Sequence, residues 1–147
     1  MTDLERLIRR TRAAFHALAA YGSALHADLG VNASMRAVME HIEENGPATA
    51  PEMARAKGVS RQHIQTIVDL LIDAALAEAR TNPEHKRSSL IALTRKGRAT
   101  FAKIRAREEK ALAQLSRRLG GVELAGAEKA LAALIAAIDD DNKGENQ

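Results

Sequence analysis

The chain has 147 residues, with 22 Lys and Arg against 19 Asp and Glu and a formal net charge of +3. This length suits a single domain with a core of ordinary size. The lack of cysteine excludes disulfides, thiol catalysis and cysteine redox sensing. An aromatic content of 2% argues against a stacking platform for single-stranded nucleic acid. No apolar run approaches the ~20 residues of a membrane span and the start lacks the pattern of a signal peptide, so we expect a cytoplasmic protein without membrane contact.

The positive charge is concentrated in the centre of the chain. Residues 55–98 carry nine Lys or Arg against four Asp or Glu, whereas residues 1–54 have a net charge of −2 and residues 99–147 a net charge of zero. A positive centre between near-neutral flanks is expected if only the centre meets a polyanion. A basic face that contacts only solvent would have the same composition, so charge alone leaves both interpretations open.

The first third of the chain predicts two helices. Apolar or small residues recur at steps of three and four from Asp3 to about Leu29, which predicts a long amphipathic helix that stops at Gly30. Asn32 can cap a second helix, and Gly46 and the proline after it would end that helix.

The next segment predicts two short helices joined by a tight turn. Thr49 and Glu52 have the spacing of a capping box, which predicts a helix over Ala50–Lys57. Gly58 can adopt the left-handed backbone of a turn, and Ser60 can cap the helix that follows. Two helices in this arrangement form a helix-turn-helix.

The remaining segments predict a hairpin and two further helices. Ala77–Arg80 and Ser89–Leu93 flank a polar, turn-rich stretch, which predicts two short antiparallel strands. Thr94 can cap a long helix to about Leu119, and a last helix would follow the Gly-Gly break. The predicted fold class is therefore mostly α, a winged helix-turn-helix with a small β-hairpin wing between long terminal helices.

This order of elements resembles the multiple-antibiotic-resistance regulator (MarR) family of transcription regulators. Three segments carry the resemblance: the turn and helix over residues 58–71, the loop over 82–88, and the stretch 90–98 with its Leu-Thr-x-x-Gly-Arg ending. The last segment is the most discriminating, because many unrelated proteins contain a helix-turn-helix.

The resemblance implies a single domain over 1–147. Within it, 1–30 and 99–141 would be dimerisation helices, 31–98 the winged DNA-binding module and 142–147 a frayed tail. It also implies a homodimer on a pseudo-palindromic operator, acting as a ligand-responsive repressor. We expect the dimer contacts to use Leu4, Ile8, Phe15, Leu131, Ile135 and Ile138.

The resemblance also implies the residues that contact double-stranded DNA. Six of them fall on the recognition helix and its start, Ser60, Arg61, Gln62, His63, Gln65 and Thr66, and four on the wing, His85, Lys86, Arg87 and Ser88. Arg61 and Gln62 can read purine edges, whereas Ser60 and Thr66 suit phosphate contact. Arg87 matches an arginine that relatives place in the minor groove.

Two positions depart from the family pattern. His85 stands where relatives often have an aspartate, so the ion pair that usually braces the wing is absent. Ala75 stands where a glycine commonly ends the recognition helix. A left-handed alanine costs about 1–2 kcal/mol, which predicts a different end for this helix.

The sequence gives no sign of catalysis or of a cofactor. The five histidines lie far apart without paired short spacing, which argues against a metal site. No phosphate-binding glycine-rich loop or nucleophile motif occurs. An effector pocket for a small aromatic or phenolic ligand can still be envisaged, with His16, Tyr21, His26 and His41 as candidate lining residues. Ordinary core or interface histidines are the competing interpretation.

Two other functions fit the same pattern. The basic winged helix could dock an acidic protein partner, or it could bind duplex DNA without sequence preference as an architectural protein. The operator, the regulated genes and the effector do not follow from the sequence.

Overall fold

A computed structural model describes residues 1–144. In chain order it contains α1 (Asp3–Leu25), a 3₁₀ turn (Ala27–Leu29), α2 (Ala33–Asn45), α3 (Ala50–Lys57), α4 (Arg61–Asp73), β1 (Ala77–Arg80), β2 (Leu90–Leu93), α5 (Arg95–Leu119) and α6 (Ala125–Gly144). The mostly α fold class with a two-stranded antiparallel hairpin is confirmed. The chain divides into two compact units, Met1–Glu109 and a second that begins at Lys110.

The core of the first unit lies beneath the helix-turn-helix. It combines the inner faces of α2, α3 and α4 with the hairpin and the first turns of α5. Met39, Met53 and Leu71 are completely buried. The flexible methionine side chains can fill irregular gaps in such a core. The helical spacing of Ile64, Ile67 and Val68 directs these side chains inward, so the opposite face of α4 is exposed.

The turn chemistry predicted for the helix-turn-helix is confirmed. Thr49 and Glu52 form a reciprocal capping box at the start of α3. Gly58 ends α3 with φ +65°, a left-handed conformation that glycine adopts without strain. The Ser60 hydroxyl accepts a 3.0 Å hydrogen bond from the His63 amide and so caps α4.

The prediction for the end of α4 is wrong. Ala75 adopts the left-handed conformation with φ +59°, as a glycine would. The neighbouring contacts impose this conformation. The Leu76 amide donates to the Leu71 carbonyl at 2.9 Å, and the Thr94 hydroxyl donates to the Ala75 carbonyl at 2.6 Å.

The Leu-Thr-x-x-Gly-Arg motif joins the hairpin to α5. Thr94 caps α5, because its hydroxyl also accepts from the Gly97 amide at 2.9 Å. Gly97 lies so close to the α4–β1 turn that a Cβ on it would be 1.9 Å from the Leu76 carbonyl oxygen. Arg98 donates to the Leu93 carbonyl at 3.0 Å. The motif therefore fixes where α5 starts relative to the turn.

A third backbone segment pairs with the hairpin, a contact that the sequence did not predict. β1 and β2 pair in antiparallel register from Ala77 opposite Leu93 to Arg80 opposite Leu90. On the other side of β2, Ala48 and Ile91 exchange backbone hydrogen bonds of 3.1 and 2.8 Å. The segment before α3 is therefore hydrogen-bonded to β2 of the wing.

Two predicted helix ends differ from the structure. α1 ends at Leu25 rather than near Leu29, because the chain tightens there into a 3₁₀ turn that closes with Gly30 at φ +68°. α6 continues to Gly144, so the tail predicted to be frayed from residue 142 is helical for its first three residues. Lys143 in the last turn of α6 complements the helix dipole. Residues 145–147 of that tail lie outside the described residues.

Candidate nucleic-acid interface

The exposed face of α4 presents the residues expected to contact DNA. Ser60, Arg61, Gln62, His63, Gln65 and Thr66 are all exposed. Two of these side chains are held in place by their own helix. Gln65 donates to Asp69 Oδ1 at 2.9 Å, and the Thr66 hydroxyl donates to the Gln62 carbonyl at 3.0 Å. The amide oxygen of Gln65 and the acceptor lone pairs of Thr66 stay available for a ligand.

A cleft of about 450 Å³ lies between α4 and the wing. Arg61, Gln62 and Gln65 line one side of it, and Arg87 and Ser88 line the other. Residues more than 20 positions apart in the sequence therefore share one opening. This arrangement suits a groove edge or a phosphate chain, since two guanidinium groups and two amide side chains can reach the same ligand.

A second cleft of about 400 Å³ opens beside the first. Arg61 lines both clefts, and here its neighbours are Asn82, His85 and Ser88 from the wing. Arg55 of α3 also lines this cleft, and it was not among the residues expected from the sequence. The only sequence feature that points to Arg55 is its position in the basic segment 55–98.

The wing is braced without the family's usual ion pair. The Asn82 side chain is buried, and its Oδ1 accepts from the Glu84 amide at 3.1 Å. The amides of His85 and Ser88 donate to the carbonyls of Asn82 and His85, each at 3.3 Å. These successive turns leave Lys86 and Arg87 exposed at the tip. A turn around Asn82 thus shapes the wing through local hydrogen bonds.

Two nearby charged side chains already have partners within the chain. Arg80 pairs with Glu78 on β1 at 2.7 Å, and Glu52 accepts from the Thr49 amide at 2.9 Å. Among residues 1–144, no ion pair occupies Arg61, Lys86 or Arg87. Arg61 and Arg87, which line the first cleft, therefore have no carboxylate partner among the described residues.

The four residues proposed to line an effector pocket have different surroundings. His26 is 1% exposed, His16 packs edge-on against Phe15, Tyr21 is exposed, and His41 is half-buried on α2. Within residues 1–144, no hydrogen bond or ring contact joins any two of the four. The effector pocket therefore stays a prediction.

His26 instead belongs to a polar cluster between α1, α2 and α5. Its Nε2 lies 3.3 Å from Glu108 Oε1, and Arg36 donates to both carboxylate oxygens of Glu108 at 2.6 and 2.8 Å. These bonds from Arg36 lower the pKa of Glu108 and raise that of Arg36. Nearby, Arg107 donates to both oxygens of Asp28 at 2.5 and 2.8 Å and lowers the pKa of Asp28. The cluster holds the end of α1 against α2 and α5.

The residues expected to form the dimer remain largely uncovered. On α1, Leu4 and Phe15 are exposed and Ile8 is half-buried. On α6, Ile135 and Ile138 are exposed and Leu131 is half-buried. Neither helix contains a buried residue.

Two kinds of feature are absent from residues 1–144. No group of three or more His, Asp or Glu side chains has the placement to hold a metal ion. None of the helices over that range combines the length and apolarity that crossing a membrane requires.

The helix-turn-helix and the wing that follows it define the chain as a winged-helix protein. A profile of the MarR family matches residues 29–88. The crystal structure of the MarR family transcription regulator SP03579 superimposes with a TM-score of 0.85 and 34% identity, covering 95% of this chain and 93% of that chain. The chain belongs to the MarR family, whose members are transcription regulators and not enzymes.

Two other relatives are more distant or match over a shorter stretch. The transcriptional repressor CouR, bound to a 23-mer DNA duplex, has a TM-score of 0.72 at 22% identity, covering 88% of this chain and 89% of that chain. An uncharacterized protein of Mycobacterium tuberculosis, Rv2011c, is 43% identical over 56 residues, or 38% of this chain. The match spans 39% of the length of that curated relative.

Proposed function

We propose that this chain is a homodimeric, sequence-specific reader of duplex DNA that represses transcription and responds to a small aromatic or phenolic ligand. The observation that carries the proposal is the shared cleft, in which Arg61, Gln62 and Gln65 of α4 face Arg87 of the wing. CouR, which shares the fold, is bound to a DNA duplex in its structure.

The exposed face of α4 supports reading of base edges. Arg61 lies on the first turn, where a recognition helix approaches the major groove, and an arginine there can bond guanine through two hydrogen bonds. Gln62 can bond adenine through two hydrogen bonds in the same way. The Ser60 hydroxyl already caps the helix, so its free lone pair and the exposed helix start favour phosphate rather than base contact.

Two substitutions separate base reading from phosphate binding. Arg61→Ala is expected to cost about 1–3 kcal/mol on the preferred site and to reduce the preference at one base position. Lys86→Ala is expected to weaken binding to all sequences equally and to lower the salt slope by about one ion. Binding isotherms over a salt series on matched and scrambled duplexes measure both. Equal behaviour of the two variants would refute this division of roles.

The proposed dimer follows from the uncovered apolar faces of α1 and α6. A two-fold dimer would present two copies of α4 about one helical turn of DNA apart. Light scattering at micromolar concentration tests this state directly. A monomeric mass would refute the dimer and, with it, the pseudo-palindromic operator.

Selection of duplexes from a random pool at about 0.15 M salt tests the function itself, because that salt suppresses purely electrostatic binding. An enriched inverted repeat with half-sites about ten base pairs apart is the expected result. Binding without enrichment would favour the architectural alternative. No binding by a folded dimer would favour an interaction module for an acidic protein.

A further inference from the structure

The second cleft, between α3, α4 and the wing, contains a balanced set of charges. Its ionisable side chains come from all three elements: Glu52 and Arg55 of α3, Arg61 of α4, and Glu84 and His85 of the wing. When the imidazole is neutral, the two arginines and the two glutamates cancel. Histidine is the only side chain of this set that ordinarily changes its charge between about pH 5 and 8. The protonation of His85 therefore decides whether the cleft is neutral or positive.

The cations of this cleft are available to an external anion. Arg55 and Arg61 are both exposed, and among residues 1–144 neither forms an ion pair. Glu52 is held at the start of α3, where its Oε2 accepts from the Thr49 amide at 2.9 Å. One oxygen of this carboxylate is therefore already used within the helix cap.

The wing holds His85 beside the cleft through its backbone. The His85 amide donates to the Asn82 carbonyl, and the His85 carbonyl accepts from the Ser88 amide, each at 3.3 Å. The side chain itself is exposed, and it forms no ion pair with a carboxylate of residues 1–144. The imidazole can therefore gain a proton and a ligand without breaking a contact of the fold.

We propose that a phosphate of the DNA backbone binds in the second cleft and that protonation of His85 strengthens this binding. The inference rests on the proposed DNA-reading function and names how pH regulates that site. The anion is a DNA phosphate because Arg61 lines both clefts, so the bound group lies beside the face of α4 proposed to read bases.

The chemistry of the three donors accounts for the effect of pH. A phosphate oxygen can accept from a guanidinium group at any pH of interest, and it can accept from both ring nitrogens of an imidazole only when the ring is protonated. A nearby anion favours the charged form of the ring, so binding takes up a proton. By linkage, affinity for DNA then rises as pH falls through the titration of the histidine.

Binding isotherms at two pH values test the proposal. A phosphate contact does not depend on base sequence, so a fluorescent duplex of mixed sequence serves as the probe. The parent protein is expected to bind about 2- to 30-fold more tightly at about pH 5.5 than at about pH 7.5, because a dimer gains two exposed charge pairs. The salt slope is expected to steepen by about one ion for each copy.

Two substitutions at the same position separate charge from shape. His85→Gln is expected to lose the pH dependence, because an amide does not titrate in this range. His85→Lys is also expected to lose it, but to bind more tightly than His85→Gln at about pH 7.5, since an ammonium group stays charged there. The matched control is His63→Gln, which changes an exposed histidine of α4 outside this cleft. It is expected to keep the pH dependence of the parent protein.

The outcomes distinguish this inference from the proposed function. Equal affinity of the parent protein at both pH values would overturn the inference and leave the proposed function intact. A pH dependence that survives in His85→Gln, or disappears in His63→Gln, would do the same. A parent protein that is folded by circular dichroism at both pH values and binds no duplex at either would overturn both.

A measurement on the parent protein alone covers the case in which the His85 variants fail to fold. Calorimetry at about pH 6.5, in two buffers of different ionisation enthalpy, counts the protons taken up when the duplex binds. Net uptake is expected. Binding without proton uptake would overturn the inference.

Discussion

Substituting Gly97 by alanine tests how closely α5 is bound to the end of α4. An added Cβ would lie 1.9 Å from the Leu76 carbonyl oxygen, 2.9 Å from its carbon and 3.3 Å from its Cα. Ordinary van der Waals contact begins near 3.4 Å. The backbone of Gly97 or of Leu76 must therefore move by more than an ångström. Because the obstacle is backbone on a buried residue, no side-chain rotation can relieve the clash.

The magnitude follows from the bonds that such a movement would break. The Thr94 amide donates to the Leu76 carbonyl at 3.1 Å, and the Gly97 amide donates to the Thr94 hydroxyl at 2.9 Å. Losing two such bonds costs about 1–3 kcal/mol, and overpacking adds about 1–3 kcal/mol. Alanine regains about 1 kcal/mol of helix propensity. The net expectation is a loss of about 1–5 kcal/mol in the free energy of unfolding.

Urea denaturation at fixed protein concentration measures this loss, since dimer formation makes apparent stability concentration-dependent. Ala102→Gly, at an exposed position of the same helix, is the control for propensity and should cost about 1 kcal/mol. Helix propensity alone predicts that Gly97→Ala stabilises the protein. A variant as stable as the parent, or more stable, would therefore refute the close approach.

Two further predictions concern the end of α4 and the cluster around Glu108. Ala75→Gly should raise the free energy of unfolding by about 1 kcal/mol, because glycine adopts a φ of +59° without strain; a destabilised variant in urea denaturation would contradict this. Glu108→Gln should destabilise the protein at neutral pH. Arg36 lowers the pKa of Glu108 from 4.5, so this contribution is present above the unfolded pKa and is lost as pH falls through the folded pKa. The difference between parent and variant should therefore shrink in acid, and a constant difference from pH 7 to about pH 3 would contradict the assignment.

The local features of the DNA-binding module could be predicted from the sequence. The capping box at Thr49, the left-handed Gly58 and the Ser60 cap each depend on residues within a few positions of one another. The inward face of α4 follows from its periodicity alone. These predictions succeeded because the interactions that determine them are short-range.

The features that depend on distant residues required the tertiary structure. The left-handed Ala75 depends on Thr94, which is 19 positions away. His26 lies buried against Glu108, 82 positions away. Arg61 lines both clefts only because the wing folds back beside α4. The sequence by itself determined the helices, the caps and the basic face, whereas tertiary contacts decided which side chains share a site, because packing can override local preference.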